Sequence, residues 1–412
     1  VSTTPPTLAS QTPSNPWTVL WLRLRRGDSG MIPIVVGLIA LCVYFQARSS
    51  SFLTAGNLNN LSIQATGYVL LGMAEIWLLL LGEIDLSLGF LSGLSGAAAV
   101  ILTDLQFHWP WFAGIAMALL VGTVVGLFSG ALVIGLRLPS FIVTLAIQLA
   151  LLGILIWVVD AQGTGGTISI VNGQLHSIVY GHLSVVWTDI FIGATVIGLI
   201  VLSFVRNQNR RSRELDTTPT AFLLIRAVLL AAAGVLASWV FNTNRGYFTL
   251  KIQGMPYAIV ILGVMVAAST FFLNRTKPGR YLYAIGGNQE AARRGGIQVN
   301  RYRVLAFALA GFTSGVAGLV YVSNLNGIND AVPGGTQVLY AVGAAVIGGT
   351  SLFGGRGKMV HALVGGVVIG VIYNGMALLS ISVYGQYLAT AGVFLVAVTI
   401  DNVARRGSTV SR

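Results

Sequence analysis

The chain has 412 residues, 55% of them hydrophobic and only 9% charged, against about 25% charged in an ordinary soluble domain. A mean hydropathy of +0.81 excludes a water-soluble globular fold and points to an all-α polytopic membrane protein. The net charge of +12 does not signal a nucleic-acid partner. The basic residues cluster in short loops between apolar segments, as on a cytoplasmic face beside anionic lipid.

Residues 1–30 open with VSTTPPTLASQTPSNP and read as a disordered cytoplasmic tail rich in Pro, Ser and Thr. No basic region precedes a short apolar core, so they do not read as a signal peptide. A membrane domain follows over 31–403, and 404–412 form a short cytoplasmic tail. Twelve apolar spans are expected in it, near 31–48, 62–82, 86–103, 111–135, 139–159, 185–205, 221–241, 255–273, 303–322, 336–349, 359–381 and 384–400. Most are long enough to cross about 30 Å of hydrocarbon. With the N-terminus cytoplasmic beside Arg23, Arg25 and Arg26, both termini lie inside. Arg48, Arg245 and Lys251 then fall outside, 3 of 24 basic residues, so span count and orientation support each other. Spans two to five and nine to twelve each hold four helices and enter from opposite sides, the pattern of an inverted repeat.

The first polar interruption is GEIDLSLG. It sets Glu83 and Asp85 within an apolar run from about Tyr68 to Leu102, where a bare charge costs at least a few kcal/mol. Two arrangements meet that cost. The carboxylates are solvated at the cytoplasmic end of span two, with Asp85 or Ser87 capping span three. Alternatively the break lies deeper, against a cavity or buried in protein. In both, the carboxylates stop one helix and start the next. On span four, Gly122, Gly126 and Gly130 make a small face, as do Gly311 and Gly315 on span nine; both suit close helix packing. The loops 160–184 and 323–335 lack Lys and Arg, and read either as a docking face outside the membrane or as plain connectors.

Two further loops carry pattern. In Lys277–Arg303, Asn288 is a helix N-cap with Glu290 in the first turn; Ala291, Ala292, Arg293 and Arg294 favour a short helix, and Gly295-Gly296 stops it. The alternative is a plain connector. GGTSLFGGRGKM lacks the phosphate-binding pattern, with Leu352 where its first Gly belongs and Met359 where Ser or Thr belongs. Its Gly348, Gly349, Thr350, Ser351, Gly354 and Gly355 instead suggest a tight cytoplasmic turn. The single Cys42 makes no internal disulfide, and His108, His176, His182 and His361 lack metal-ligand spacing. No catalytic centre and no metal site is expected.

GEIDLSLG, LPSFIVTLA, GRYLYAIGGNQEAARRGGI and VIGGTSLFGGRG, in this order, resemble the membrane permeases of bacterial sugar ABC importers, in their ribose, galactose and xylose branch. The resemblance covers about 31–403. The pair of spans at 185–205 and 221–241, with its basic loop, looks like the insertion of the xylose-type permease. The resemblance implies a non-enzymatic subunit in the bacterial plasma (inner) membrane, importing a sugar, with a pentose such as xylose expected. It implies a homodimer, two cytoplasmic ATP-binding subunits that carry ATP and Mg, an external sugar-binding protein, and no cofactor on this chain. It makes 288–296 the helix that couples to the ATPase, on the motif Glu290-Ala291-Ala292-x-x-x-Gly296, with Gly286 and Gly287 before it. A neutral sugar needs hydrogen bonds and aromatic faces, so Gln64, Ser140, Phe141, Thr144 and Gln148 are candidate pathway residues. Ser140, Thr144 and Gln148 share one face of span five; they equally suit bonds between helices. The alternative is a proton-coupled secondary transporter using Glu83 and Asp85. The coupling motif, and an expected lack of further buried charge along a proton path, weigh against it.

Overall fold

The computed structural model describes residues 32–392, apart from 106, 163–164, 216, 247–250 and 330–334, together with 395 and 399. The tails expected at 1–30 and 404–412 lie outside the described residues.

The helices in chain order are α1 (Ile32–Arg48), α2 (Ala55–Leu79), α3 (Leu88–Val100, continued by a π turn, Ile101–Leu105), α4 (Trp111–Leu136), α5 (Ser140–Ala161), α6 (Gly173–Tyr180) and α7 (Val185–Arg211). They continue as α8 (Thr220–Asn242), α9 (Tyr257–Arg275), α10 (Lys277–Gly287), α11 (Gln289–Arg294), α12 (Val299–Leu325), α13 (Gly335–Ile347) and α14 (Met359–Leu378). Residues 383–392 are helical as well. Among the described residues, eight helices are long and apolar enough to cross a membrane: α2, α4, α5, α7, α8, α9, α12 and α14. Stretches of α1, α3 and α13 form shorter apolar helices.

Helix α2 runs through the middle, with every residue from Ala65 to Leu80 buried. It starts earlier than the apolar pattern suggests, because Thr54 caps it ahead of the polar turn that contains Asn57, Asn59 and Asn60. Helix α12 packs on α2, α3 and α4. There the two small faces meet each other. A Cβ on Gly122 would stand 2.3 Å from the Gly311 carbonyl oxygen, and one on Gly311 would stand 2.1 Å from that of Gly122. Backbones this close need glycine on both helices. Helices α7 and α8 are peripheral. They pack on each other, and the Asp189 carboxylate on α7 accepts from Ser238 and Asn242 on α8.

The loops at one end of the bundle are structured, which amends the all-α expectation. Thr167–Ser169 and Gly327–Asn329 pair as an antiparallel two-strand ribbon, β1 and β2. Helix α6 lies against the end of α12: the Ser323 hydroxyl accepts from the Val179 amide, and the Tyr180 hydroxyl donates to the Asn324 carbonyl. The loops 160–184 and 323–335 are therefore joined to each other. Lacking basic residues and a helical period, they give no sign of it in sequence.

Candidate functional site

At the opposite end, the helix break, the short helices α10 and α11, and the glycine turn converge. Helix α2 stops at Gly82, whose φ of +75° lies in the left-handed region that favours glycine. The Glu83 amide reaches back to the Leu78 carbonyl and the Gly82 amide to Leu79, the paired bonds of a glycine C-cap. The next helix is started by Asp85. Its Oδ1 accepts from the Ser87 amide at 2.8 Å and from the Ser87 hydroxyl. Ser87, at the N-cap position itself, makes no side-chain cap bond.

The carboxylates are not solvated, as the shallower arrangement required. Asp85 is 1% exposed, and Glu83 forms an ion pair with Arg303 on α12. Burial in protein, with partners for the charge, is what makes a break tolerable here. The expectation of no further buried charge is also corrected. Glu75 on α2 is 0% exposed, and its Oε1 accepts from the Asp85 amide at 3.3 Å. Its Oε2 is buried without a partner among the described residues. The signal is present in sequence as one acidic residue two turns before GEID, hidden when that run is read as apolar.

Helix α5 holds the broken segment from the other side. Ser140 Oγ accepts from the Ile84 amide at 3.3 Å, and Thr144 Oγ1 from the Leu86 amide at 3.1 Å. Both amides lie between helices and have no helical partner, so these hydroxyls satisfy donors otherwise costly to bury. The shared face read from the four-residue spacing is real, but two of its residues point at backbone. Gln148 is half-buried and Phe141 is exposed. Gln64 lies apart, accepting from Asn374 on α14, whose own Oδ1 accepts from Asn57.

Helix α10 is not expected from the sequence. Thr276 caps it by accepting from the Gly279 amide, and Pro278 lies in the first turn. Gly279, Leu282 and Ile285 form its buried face. Gly286 fits against the break so closely that a Cβ would stand 1.7 Å from the Leu80 carbonyl oxygen; at Gly287 it would meet nothing. Asn288 ends α10 and caps α11, its Oδ1 accepting from the Ala291 amide at 2.9 Å. Gly296, at φ +81°, stops α11. Glu290 pairs with Arg294 on the exposed side. The two alanines diverge: Ala292 is buried against Ile285 and Val299, while Ala291 is exposed. Ala292 therefore seats the helix on its own chain and is not offered to a partner.

The glycine turn closes the cluster. Gly349, Gly354 and Gly355 all have positive φ. The Gly355 amide donates to the Leu80 carbonyl at 2.9 Å, and the Tyr283 hydroxyl of α10 donates to the Gly357 carbonyl at 2.7 Å. Within the turn, the Ser351 amide donates to the Arg356 carbonyl, Thr350 Oγ1 meets His361 Nδ1, and Gly348 packs on the His361 carbonyl. Break, turn and α10 are thus joined by hydrogen bonds, and α11 is capped by the residue that ends α10.

A second polar cluster, unforeseen in sequence, lies where α2, α12, α13 and α14 meet. Tyr68 of α2 meets Tyr340 of α13 edge-on at 5.5 Å and Tyr373 of α14 at 6.1 Å. Beside them the Tyr321 hydroxyl of α12 donates to Gln337 on α13 at 2.8 Å. These residues come from four helices, and no local spacing brings them together. No group that could hold a metal ion is present among the described residues.

The family of branched-chain amino acid transport system permease components matches residues 57–400. The xylose transport system permease protein XylH of Escherichia coli K12 is 34% identical over 381 residues, 91% of this chain and 92% of that protein. XylH of Haemophilus influenzae is 32% identical over 376 residues, 90% and 96% of the two chains. The ribose import permease RbsC of Haemophilus influenzae is 30% identical over 367 residues, 89% and 91%. No solved structure matches the chain. The chain is a multi-pass membrane protein that belongs to the branched-chain amino acid transport system permease family.

Proposed function

We propose that this chain is the membrane permease subunit of an ATP-driven sugar importer, carrying a pentose such as xylose. The observation that carries the reading is α11, a six-residue helix capped at both ends and bonded through α10 and the glycine turn to the broken end of α2. A helix so short gains its rigidity from its caps and seat, and a rigid projection is what an ATPase needs to move a bundle. The near full-length likeness to xylose permeases supports the sugar. ATP and Mg act on a separate partner chain. The working complex is a homodimer with two ATP-binding subunits inside and a sugar-binding protein outside, in the bacterial inner membrane.

In this reading twelve helices cross the bilayer with both termini cytoplasmic, and the break end faces the cytoplasm. An inverted repeat is supported by one correspondence: among the described residues, α3 and α13, second in each set of four, each carry an apolar helix shorter than the eight long spans. Short segments at matching positions of two halves point to the transport pathway. Tyr340 and Gln337 lie on α13, so the tyrosine cluster with Gln64 and Asn374 offers the rings and amides that a neutral sugar uses. Reconstitution with the cognate ATPase and binding protein tests the reading. Xylose uptake that requires both partners and ATP is expected. Uptake by this chain alone, driven by a proton gradient, would refute it in favour of the Glu83/Asp85 alternative.

A further inference from the structure

Between the α4–α5 turn, α11 and the first turn of α12 lies a cleft of about 490 Å³. Arg137, Arg293, Arg303 and Asn300 line it, with Ile134 and Leu138 on the wall. Of the three guanidinium groups, that of Arg303 is paired, through its Nε, to the Glu83 carboxylate. Among the described residues no carboxylate pairs with Arg137 or Arg293, whereas the adjacent Arg294 is matched by Glu290. Like charges gathered in one concavity repel each other and create a strong positive potential. Arg137 is held there by the backbone, as the left-handed residue that ends α4, φ 54°. Apolar surface begins beside it: Leu136, Leu138 and Phe141 are 56%, 45% and 52% exposed. On helices that span a bilayer, the arginines then stand where hydrocarbon gives way to headgroups.

We propose that this cleft binds the phosphate of an anionic phospholipid, its acyl chains lying along Leu136, Leu138 and Phe141. The fork of a guanidinium matches phosphate oxygens, and basic pockets between helices on the cytoplasmic side take anionic headgroups. Free phosphate shares the headgroup chemistry but has no use for the apolar wall. The site rests on the reading above in one respect, that this end faces the cytoplasm. A lipid bound there touches the turn that presents Ser140 to the break, the α11 helix, and the arginine paired to Glu83. It would hold the coupling cluster at a fixed depth in the membrane.

The test uses the full permease in nanodiscs of phosphatidylcholine with phosphatidylglycerol, counting retained lipid by native mass spectrometry. Arg137→Asn keeps the backbone, since Asn tolerates the left-handed region; Arg293→Gln lies on an exposed position of α11. Each should lower phosphatidylglycerol retention about five-fold, the share of one arginine near a membrane surface. Retained phosphatidylcholine and the unfolding temperature in pure phosphatidylcholine should not change. Equal phosphatidylglycerol retention in wild type and both variants would overturn the proposal. Saturable binding of inorganic phosphate that is lost in the variants and not competed by phosphatidylglycerol would assign the cleft to a free anion and overturn it too. Loss of ATPase co-purification with lipid retention intact would assign the arginines to the protein partner and likewise overturn it. The lipid readout needs neither ATPase nor sugar. Retained lipid without ATP-driven uptake would refute the importer reading and leave this site standing.

Discussion

Gly286→Ala places a methyl group where the structure has no room. The new Cβ would lie 1.7 Å from the Leu80 carbonyl oxygen and 2.6 Å from the Gly355 amide nitrogen, both backbone atoms. Neither can rotate away, so α10 must withdraw from the break by more than an ångström. That displacement strains or breaks the 2.9 Å bond from the Gly355 amide to Leu80. A backbone hydrogen bond contributes about 0.5–1.5 kcal/mol net, and overpacking typically costs about 1–3 kcal/mol. The expected loss is therefore about 2–4 kcal/mol. Gly287→Ala is the internal control. It is the neighbouring helical glycine, its Cβ would meet nothing within 4 Å, and as the last residue of α10 it gains from alanine only part of the about 1 kcal/mol that separates the two in a helix interior. Thermal unfolding of the purified permease in detergent should fall clearly for the first variant and hold or rise for the second. Co-purification of the ATPase and ATP-driven uptake should follow the same order if α10 carries the coupling. Equal unfolding temperatures for the two variants would refute the close contact and the bonded cluster built on it.

Glu83→Gln should destabilise the permease by about 1–3 kcal/mol, because removing one partner strands the Arg303 guanidinium in a half-buried setting; Glu83→Gln with Arg303→Gln should recover part of the loss in a double-mutant cycle. Ser140→Ala and Thr144→Val should each cost about 1–2 kcal/mol by leaving the Ile84 or Leu86 amide unpaired, measured as unfolding temperature together with faster amide exchange across 82–87. Burial, and then the Arg245 guanidinium, hold His182 below the ordinary histidine value. It is thus neutral in the folded loop, and the stability it gives is present above about pH 6.5 and lost as pH falls toward its folded value. Protection factors of the amides at 181–188, taken relative to intrinsic exchange at each pH, should fall on acidification, and His182→Asn should flatten that dependence.

Much of the local framework is legible from residue type and spacing. The Asn288 cap and the Gly296 stop of α11 are set by side-chain chemistry within a few residues, and both stand in the structure. The glycine faces on α4 and α12 are visible as four-residue repeats, although nothing local says that each is the other's partner. Helix α10 escapes sequence reading because its apolar face is only three residues long and ends in two glycines, which in sequence look like a loop. Glu75 escapes it too, although its charge stands in an apolar run. The carboxylates of GEID do stop one helix and start the next, but their environment is not legible. Whether a carboxylate meets water or Arg303 depends on a residue 220 positions away.

By itself the sequence determined that this chain lives in a bilayer, roughly where its apolar segments run, and which short segments must turn. Those properties follow from summed transfer energies and from backbone preferences, both of which act within a window of about twenty residues. Only the tertiary structure decided what the turns are for. It brought Leu80, Gly286 and Gly355 into contact, pointed Ser140 and Thr144 at backbone amides, turned Ala292 inward, and gathered four tyrosines from four helices. The physical reason is that a buried polar group is satisfied by whatever donor or acceptor packing places within about 3 Å of it. In a bundle of long helices that partner is almost always remote in sequence.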